Sequence, residues 1–251
     1  MSSPAGRHAR GRQPGAPTGE SKATEAPSVI QARGLRKEYG DRPALEALDV
    51  TIAPGETVAL IGHNGSGKST FLRLTAGLIE ASAGSVRVAG AEAGSMPARA
   101  ALSYVGDQPS FYDDLSVRDH LEYVARLHGV ADWEEIADAL VEHLGIAHRM
   151  DDLPSTFSRG LRQKAAIALG FVRPFDVIVV DEPFVGLDLA GRDALVELLD
   201  QARTDGAAVV VATHEVAFAA GAPRTLVLAD GVLVYDGSDG ESAAREHLGE
   251  R

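Results

Sequence analysis

The densest chemical pattern in the chain is the run Gly62, His63, Asn64, Gly65, Ser66, Gly67, Lys68 and Ser69. It fits the spacing G-x-x-x-x-G-K-[ST], directly after the apolar run 57–61 and before a stretch of helical spacing. Glycines let a backbone wrap around a phosphate chain with its N–H groups turned inward. Lys68 adds a point charge, and a helix starting near it aims its positive end at the same anion. The Ser69 hydroxyl stands where Mg²⁺ needs an oxygen ligand, and Thr70 completes the set of nucleotide-binding candidates. The chemistry implied is the holding of nucleotide phosphates.

A second constellation lies at Val177, Ile178, Val179, Val180, Asp181, Glu182 and Pro183, a buried-strand run that ends in two carboxylates. Two acids at the carboxyl end of a parallel strand sit where open α/β sheets bind ligands. The natural division of labour gives Asp181 to Mg²⁺, often through water, and sets Glu182 to polarise the water that attacks the γ-phosphate. With the glycine loop, this pair predicts ATP hydrolysis.

Elements of the right kind surround both motifs. Apolar or alternating runs at 29–32, 48–52, 57–61, 85–88, 102–105, 177–180, 208–212, 225–228 and 232–235 predict strands. Helical spacing appears at 68–78, 162–171 and 192–203, and at 116–128 and 133–144 two helices follow one another with no strand between. That block, about 109–160, interrupts the strand–helix alternation and reads as an inserted helical subdomain. A further short helix is expected at 241–250.

Composition bounds what the chain does. Its 251 residues carry 36 Asp and Glu against 24 Lys and Arg, a net charge of −12, which argues against a nucleic-acid surface. Cysteine is absent, so disulfides and thiolate metal sites are excluded and a reducing cytosol fits. No stretch approaches the roughly 20 apolar residues that span a bilayer, and the N-terminus lacks the apolar core of a secretory signal. Residues 1–27 are rich in Gly, Pro, Ala and Ser with almost no large apolar side chain, and read as a disordered tail ahead of one domain at 28–251. His120, His128, His143 and His148 lack the partners of a zinc site and read as surface or packed residues.

With these segments in view, residues from about 29 to 238 resemble the ATP-binding subunits of ABC transporters. The loop 62–69 is similar to the Walker A motif of that family, and 177–182 to its Walker B. The family signature, commonly LSGGQ, is resembled by Phe157, Ser158, Arg159, Gly160 and Leu161, in which Ser158 and Gly160 match. Gly186, Leu187 and Asp188 resemble the D-loop, and Thr213 and His214 resemble the switch histidine segment. Tyr39 lies where the family stacks an aromatic ring on adenine, although a lone tyrosine also fits simple packing. The resemblance implies an α/β fold: a P-loop NTPase core of ABC type with an antiparallel β subdomain and an inserted helical subdomain.

The same resemblance implies ATP and Mg²⁺ as ligands, with Glu182, His214 and Lys68 catalytic and His214 contacting the γ-phosphate. It implies a second ATP-binding subunit, identical or related, packed head to tail across Ser158, Arg159, Gly160 and Asp188. An integral membrane permease is the further partner, with the chain peripheral on the cytoplasmic face of the membrane. Alone, Ser158 also fits a plain helix cap. One motif departs from the pattern: Tyr104, Val105, Gly106, Asp107, Gln108 and Pro109 place Asp107 where the family has glutamine, with Gln108 one position late. Asp107 is therefore assigned to the metal side, with Gln108 as the alternative. The run 112–117 resembles the exporter-like branch. The competing class, a non-transport ABC ATPase acting on nucleic acid or the ribosome, calls for a coiled coil or a tandem second ATPase domain.

Overall fold

The structure, a computed structural model, describes residues 28–248. The disordered tail expected at 1–27 and the last residues of the expected terminal helix lie outside them.

Two sheets form the frame. The chain enters through β1 (Ile30–Tyr39) and β2 (Arg42–Ile52), which pair antiparallel across a tight turn at Gly40 and Asp41. Both strands run well past the apolar stretches at 29–32 and 48–52. The hydropathy pattern breaks because the pairing shifts between Ala32 and Leu35 and again between Leu35 and Lys37. Each irregularity moves the following side chains to the other face, so alternation fails while the strand continues. Next come β3 (Thr57–Ile61), α1 (Lys68–Thr75), β4 (Ala83–Val88), β5 (Ala91–Glu92), α2 (Met96–Ala101) and β6 (Leu102–Val105). Strands β2, β1, β4 and β5, in that order, form the antiparallel sheet.

Helix α1 stops three residues short of the expected 78. Gly77 adopts a left-handed φ of 66°, its N–H reaches the Leu74 carbonyl at 3.0 Å, and the Leu78 N–H reaches Arg73 at 2.9 Å. This is a Schellman closure, which satisfies carbonyls that the helix itself leaves open.

The helices α3 (Val117–Leu127) and α4 (Trp133–His143) follow, then two 3₁₀ turns and α5 (Arg159–Phe171). Ser116 and Asp119 close a reciprocal capping box at the start of α3. The remaining elements are β7 (Val177–Asp181), α6 (Leu189–Thr204), β8 (Ala208–Thr213), α7 (Val216–Gly221), β9 (Arg224–Ala229), β10 (Val232–Gly237) and α8 (Gly240–Leu248). The second sheet has the order β10, β9, β3, β8, β7, β6 and is parallel apart from its β10–β9 edge pair. Helices α2 and α7, six residues each, were not legible in the sequence, because so short an alanine-rich segment shows no helical stripe.

Alternation along the central strands divides the core. Val177, Val179, Ala208, Val210, Val58 and Leu60 face α1 and the antiparallel sheet. Ile178, Val180, Val209 and Val211 face the helices of the other side, where Leu121, Trp133, Val141, Ile167 and Leu195 pack. Strands β7 and β8 are buried along their whole length, as parallel strands covered on both faces must be. Polar chemistry is thereby pushed to the strand ends.

Candidate functional site

In the parallel sheet Ile61 is in register with Thr213, and Asp181 with Ala212. The carboxyl ends of β3, β7 and β8 therefore reach one edge together, and the loops that leave them carry residues 62–69, Glu182 and His214.

The glycine loop holds its shape through close approaches that exclude side chains. Gly67, the residue before α1, has φ of 107°, and a Cβ there would stand 2.6 Å from the Ala44 carbonyl oxygen. At Gly62 a Cβ would collide with the Ser66 hydroxyl and the Leu228 carbonyl. The loop is pinned from outside by Gly231, whose N–H donates to the Ser66 carbonyl at 2.9 Å. His63, Asn64 and Gly65 are exposed, while Ser66, Gly67 and Lys68 are buried and Ser69 and Thr70 half-buried.

Lys68 is only 5% exposed. Its ammonium donates to the Gly62 carbonyl at 2.6 Å and lies 3.4 Å from the Glu182 carboxylate. Glu182 also lies 2.8 Å from Nδ1 of His214. An ionised carboxylate only accepts, so Nδ1 carries the hydrogen. Three side chains, from the start of α1 and from the ends of β7 and β8, thus form one chain of contacts. Glu182 adopts φ of 47°, a left-handed conformation that costs a non-glycine residue on the order of 1–3 kcal/mol. Its N–H donates to the Ala212 carbonyl at 2.8 Å, which carries the β7–β8 ladder one residue past the strand.

Asp181 is fully buried, and neither carboxylate oxygen has a hydrogen-bond partner. Burial lifts its carboxyl above the usual carboxylate range; the Ser69 hydroxyl acts against this, Asp107 and Glu182 reinforce it, and Lys68 opposes it. Two orphaned anionic oxygens beside a half-buried hydroxyl are the donor set a hard cation accepts. Among the described residues no group of three or more His, Asp or Glu side chains could hold a metal, so a cation here would complete its shell from phosphate and water.

Asp107 leaves β6 beside this cluster, 3.8 Å from Arg73 of α1. The Arg73 guanidinium is held above its ordinary value chiefly by its hydrogen bond to Tyr104, with Asp107 and Asp181 contributing. Gln108 lines a neighbouring groove of about 700 Å³ with Asp107, Phe111 and Leu127. Tyr39 ends β1 with its ring half exposed and the Lys37 ammonium 5.2 Å above it.

The remaining candidates stand elsewhere. Ser158 caps α5, accepting from the Leu161 N–H at 3.3 Å, so the helix begins at Arg159 rather than at 162. Ser158 and Arg159 are exposed, and Gly160 packs so close to the Gly186 carbonyl that a Cβ would collide. No hydrogen bond or ion pair joins Ser158, Arg159 or Gly160 to residues 62–69 among the described residues. Asp188 caps α6 and accepts from Lys164 at 2.9 Å. Sequence reasoning missed that Lys164 contact, and also the Arg192–Glu215 pair described below; neither belongs to a motif, and charge alternation along a helix is too common to mark them.

A family model described as "ABC transporter" matches residues 45–185. The chain belongs to the ABC transporter family. A shorter match, at residues 153–220, is to a model described as "AAA domain, putative AbiEii toxin, Type IV TA system". The chain is 36% identical over 224 residues to the macrolide export ATP-binding/permease protein MacB of Rhodopseudomonas palustris (strain BisB18), covering 84% of this chain and 34% of that protein. It therefore spans about a third of that relative's length. It is 32% identical over 196 residues to the ABC-type transporter ATP-binding protein EcsA of Bacillus subtilis (strain 168), covering 76% of this chain and 79% of the relative. A solved structure described as an ATP binding subunit of an ABC transporter superposes with a TM-score of 0.81 at 28% identity, over 89% of this chain and 95% of that one. The α/β fold of ABC type is the one expected. No helix among the described residues is long and apolar enough to cross a membrane.

The burial of Asp181 generates a pH prediction. Because its folded pKa is raised, its contribution to stability is fully present below the unfolded value, about 3.9, and is lost as pH rises through the folded value. Asp181→Asn should therefore raise the urea midpoint of the nucleotide-free protein at pH 7. That gain should shrink toward zero as pH falls to about 4; a difference that stays constant across this range would contradict it.

Proposed function

We propose that this chain binds Mg²⁺-ATP between residues 62–69 and a second subunit, hydrolyses it through Glu182, and passes the resulting opening and closure to a membrane permease. The observation that carries the reading is the contact chain Lys68, Glu182, His214, built from the start of α1 and the ends of β7 and β8 beside the orphaned carboxylate of Asp181.

Residues 62–69 cradle the phosphates with backbone N–H groups and the start of α1, while Lys68 supplies positive charge. Ser69 and Asp181 would hold Mg²⁺, with Asp107 as the further oxygen donor and Gln108 as the alternative at that position. The ion, when bound, neutralises phosphate charge. Glu182 orients and polarises the attacking water, its carboxylate held between Lys68 and His214. His214 holds that carboxylate through Nδ1 and presents Nε2 toward the reacting phosphate.

Ser158, Arg159 and Gly160 act on the ATP of the partner subunit. The exposure of Ser158 and Arg159, and the helix α5 whose N-terminus they form with Gly160, suit an anion brought by another molecule. The Asp188 segment joins them at this interface, and Tyr39 stacks on adenine. Residues 28–251 act as one ATPase domain in which the helices between 109 and 160 form the subdomain that meets the permease, with the chain on the cytoplasmic face of the membrane. The relative from Rhodopseudomonas carries both an ATP-binding and a permease function in its name, and that from Bacillus an ATP-binding one. The nucleic-acid alternative has no support in these comparisons, and the net charge of −12 opposes it.

Two outcomes test this reading. Glu182→Gln should leave ATP binding intact and lower the steady-state ATP turnover by about 10²–10⁴-fold, the usual contribution of a positioned base; unaltered turnover excludes the role. Asp107→Ala should raise the Mg²⁺ concentration needed for half-maximal hydrolysis while Gln108→Ala leaves it unchanged. The reverse pattern transfers the metal-side role to Gln108.

A further inference from the structure

Behind the contact chain lies a second polar junction that none of the motifs contains. Arg192 is one turn into α6, its N–H bonded to the Asp188 carbonyl at 3.0 Å. Its guanidinium donates one hydrogen bond to Glu215, from Nη1 to Oε2 at 3.0 Å, and its Nη2 lies in ion-pair contact with Oε1 at 3.0 Å. Nη2 also points to the Phe184 carbonyl at 3.4 Å, and the guanidinium carbon lies 5.9 Å from the centre of the Phe184 ring. Glu215 in turn donates its N–H to the Thr213 hydroxyl at 3.1 Å.

The sequence positions of these partners give the junction its meaning. Phe184 is two residues past Glu182, Glu215 directly follows His214, and Arg192 follows Asp188 by one helical turn. One planar cation therefore ties together the loop of the base, the loop of its histidine partner and the helix that leaves the subunit interface. An apolar cavity of about 880 Å³ lies between α6 and α7, with Val196, Leu199, Phe218 and Ala222 among its walls and Arg192 and Glu215 also lining it. The Arg192–Glu215 pair spans from α6 to the start of α7, and the Phe184–Phe218 ring pair, 5.3 Å between centroids, joins the Glu182 loop to α7. A planar guanidinium that donates to Glu215 and to the Phe184 carbonyl at once fixes direction as well as distance, which the point charge of a lysine cannot do.

We infer that Arg192 is a positioning residue for hydrolysis, setting the geometry of Glu182 against His214 through Phe184 and Glu215 and linking it to the Asp188 segment. This rests on the proposed role of Glu182. With Arg192 at 40% and Glu215 at 25% side-chain exposure, the pair contributes little to stability as an ion pair, so loss of function and loss of folding separate.

The test is ATP hydrolysis by the purified full chain, with equilibrium ATP binding and urea unfolding measured on every variant. Arg192→Ala and Glu215→Gln should each lower kcat about 10- to 100-fold, the scale of a misplaced catalytic group, with KM for ATP and the urea midpoint near wild type. The double variant should be no worse than the poorer single one, because both remove the same junction. Arg192→Lys should recover little of the loss. Wild-type kcat in Arg192→Ala or in Arg192→Lys, or a kcat loss that tracks the fall in urea midpoint, overturns the inference. Glu182→Gln runs beside them: if it is inactive while Arg192→Ala is fully active, only this inference fails, and if it is fully active the reading beneath it fails as well.

Discussion

The site depends on a carboxylate that the fold has stripped of water. Strand β7 is buried on both faces, and Asp181 at its end has neither oxygen hydrogen-bonded. An anion in that position raises its own free energy until a cation arrives. Two neighbours answer to this: the Lys68 charge and the Ser69 hydroxyl both act to keep that carboxyl ionised. The helix α1 that begins in the glycine loop adds the field of its N-terminus to the same place.

From that constraint the division of the molecule follows. Alternating side chains of β3, β7 and β8 feed separate packed layers, which leaves the strand ends as the place where polar loops converge. The loops are not independent. Glu182 is held by its strained backbone, its bond to Ala212 and its contact with His214, while Ser158, Gly160 and Asp188 sit at the starts of α5 and α6. Among the described residues no hydrogen bond or ion pair joins Ser158, Arg159 or Gly160 to residues 62–69, and the proposed two-subunit mechanism has them serve the other molecule's site.

Much of this was legible in the sequence because the decisive residues are local. The run 62–69 and the pair at 181 and 182 are contiguous, and their strands are short apolar stretches whose bounds differ from those observed by a residue or none. Legibility failed where the physics is tertiary. Strand β1 outlasts its apolar run because pairing irregularities scramble the alternation. Helix α1 ends at a Gly77 closure although Leu78 continues its spacing. Helix α5 starts at Arg159, since one cap by Ser158 decides the boundary and the hydropathy of the first turn does not. Arg192 and Glu215 lie 23 residues apart in the sequence and meet only because α6 and β8 return to the same edge.

The central claim is that residues 62–69 with Lys68 form a cage for the phosphate chain of a nucleotide. Calorimetric titration of the chain with ATP and with AMP, in the presence of Mg²⁺, measures this directly. The account predicts binding of ATP, no detectable binding of AMP, and loss of the ATP signal in Lys68→Ala. Equal affinity for the two nucleotides, or ATP binding unaffected by Lys68→Ala, would contradict it.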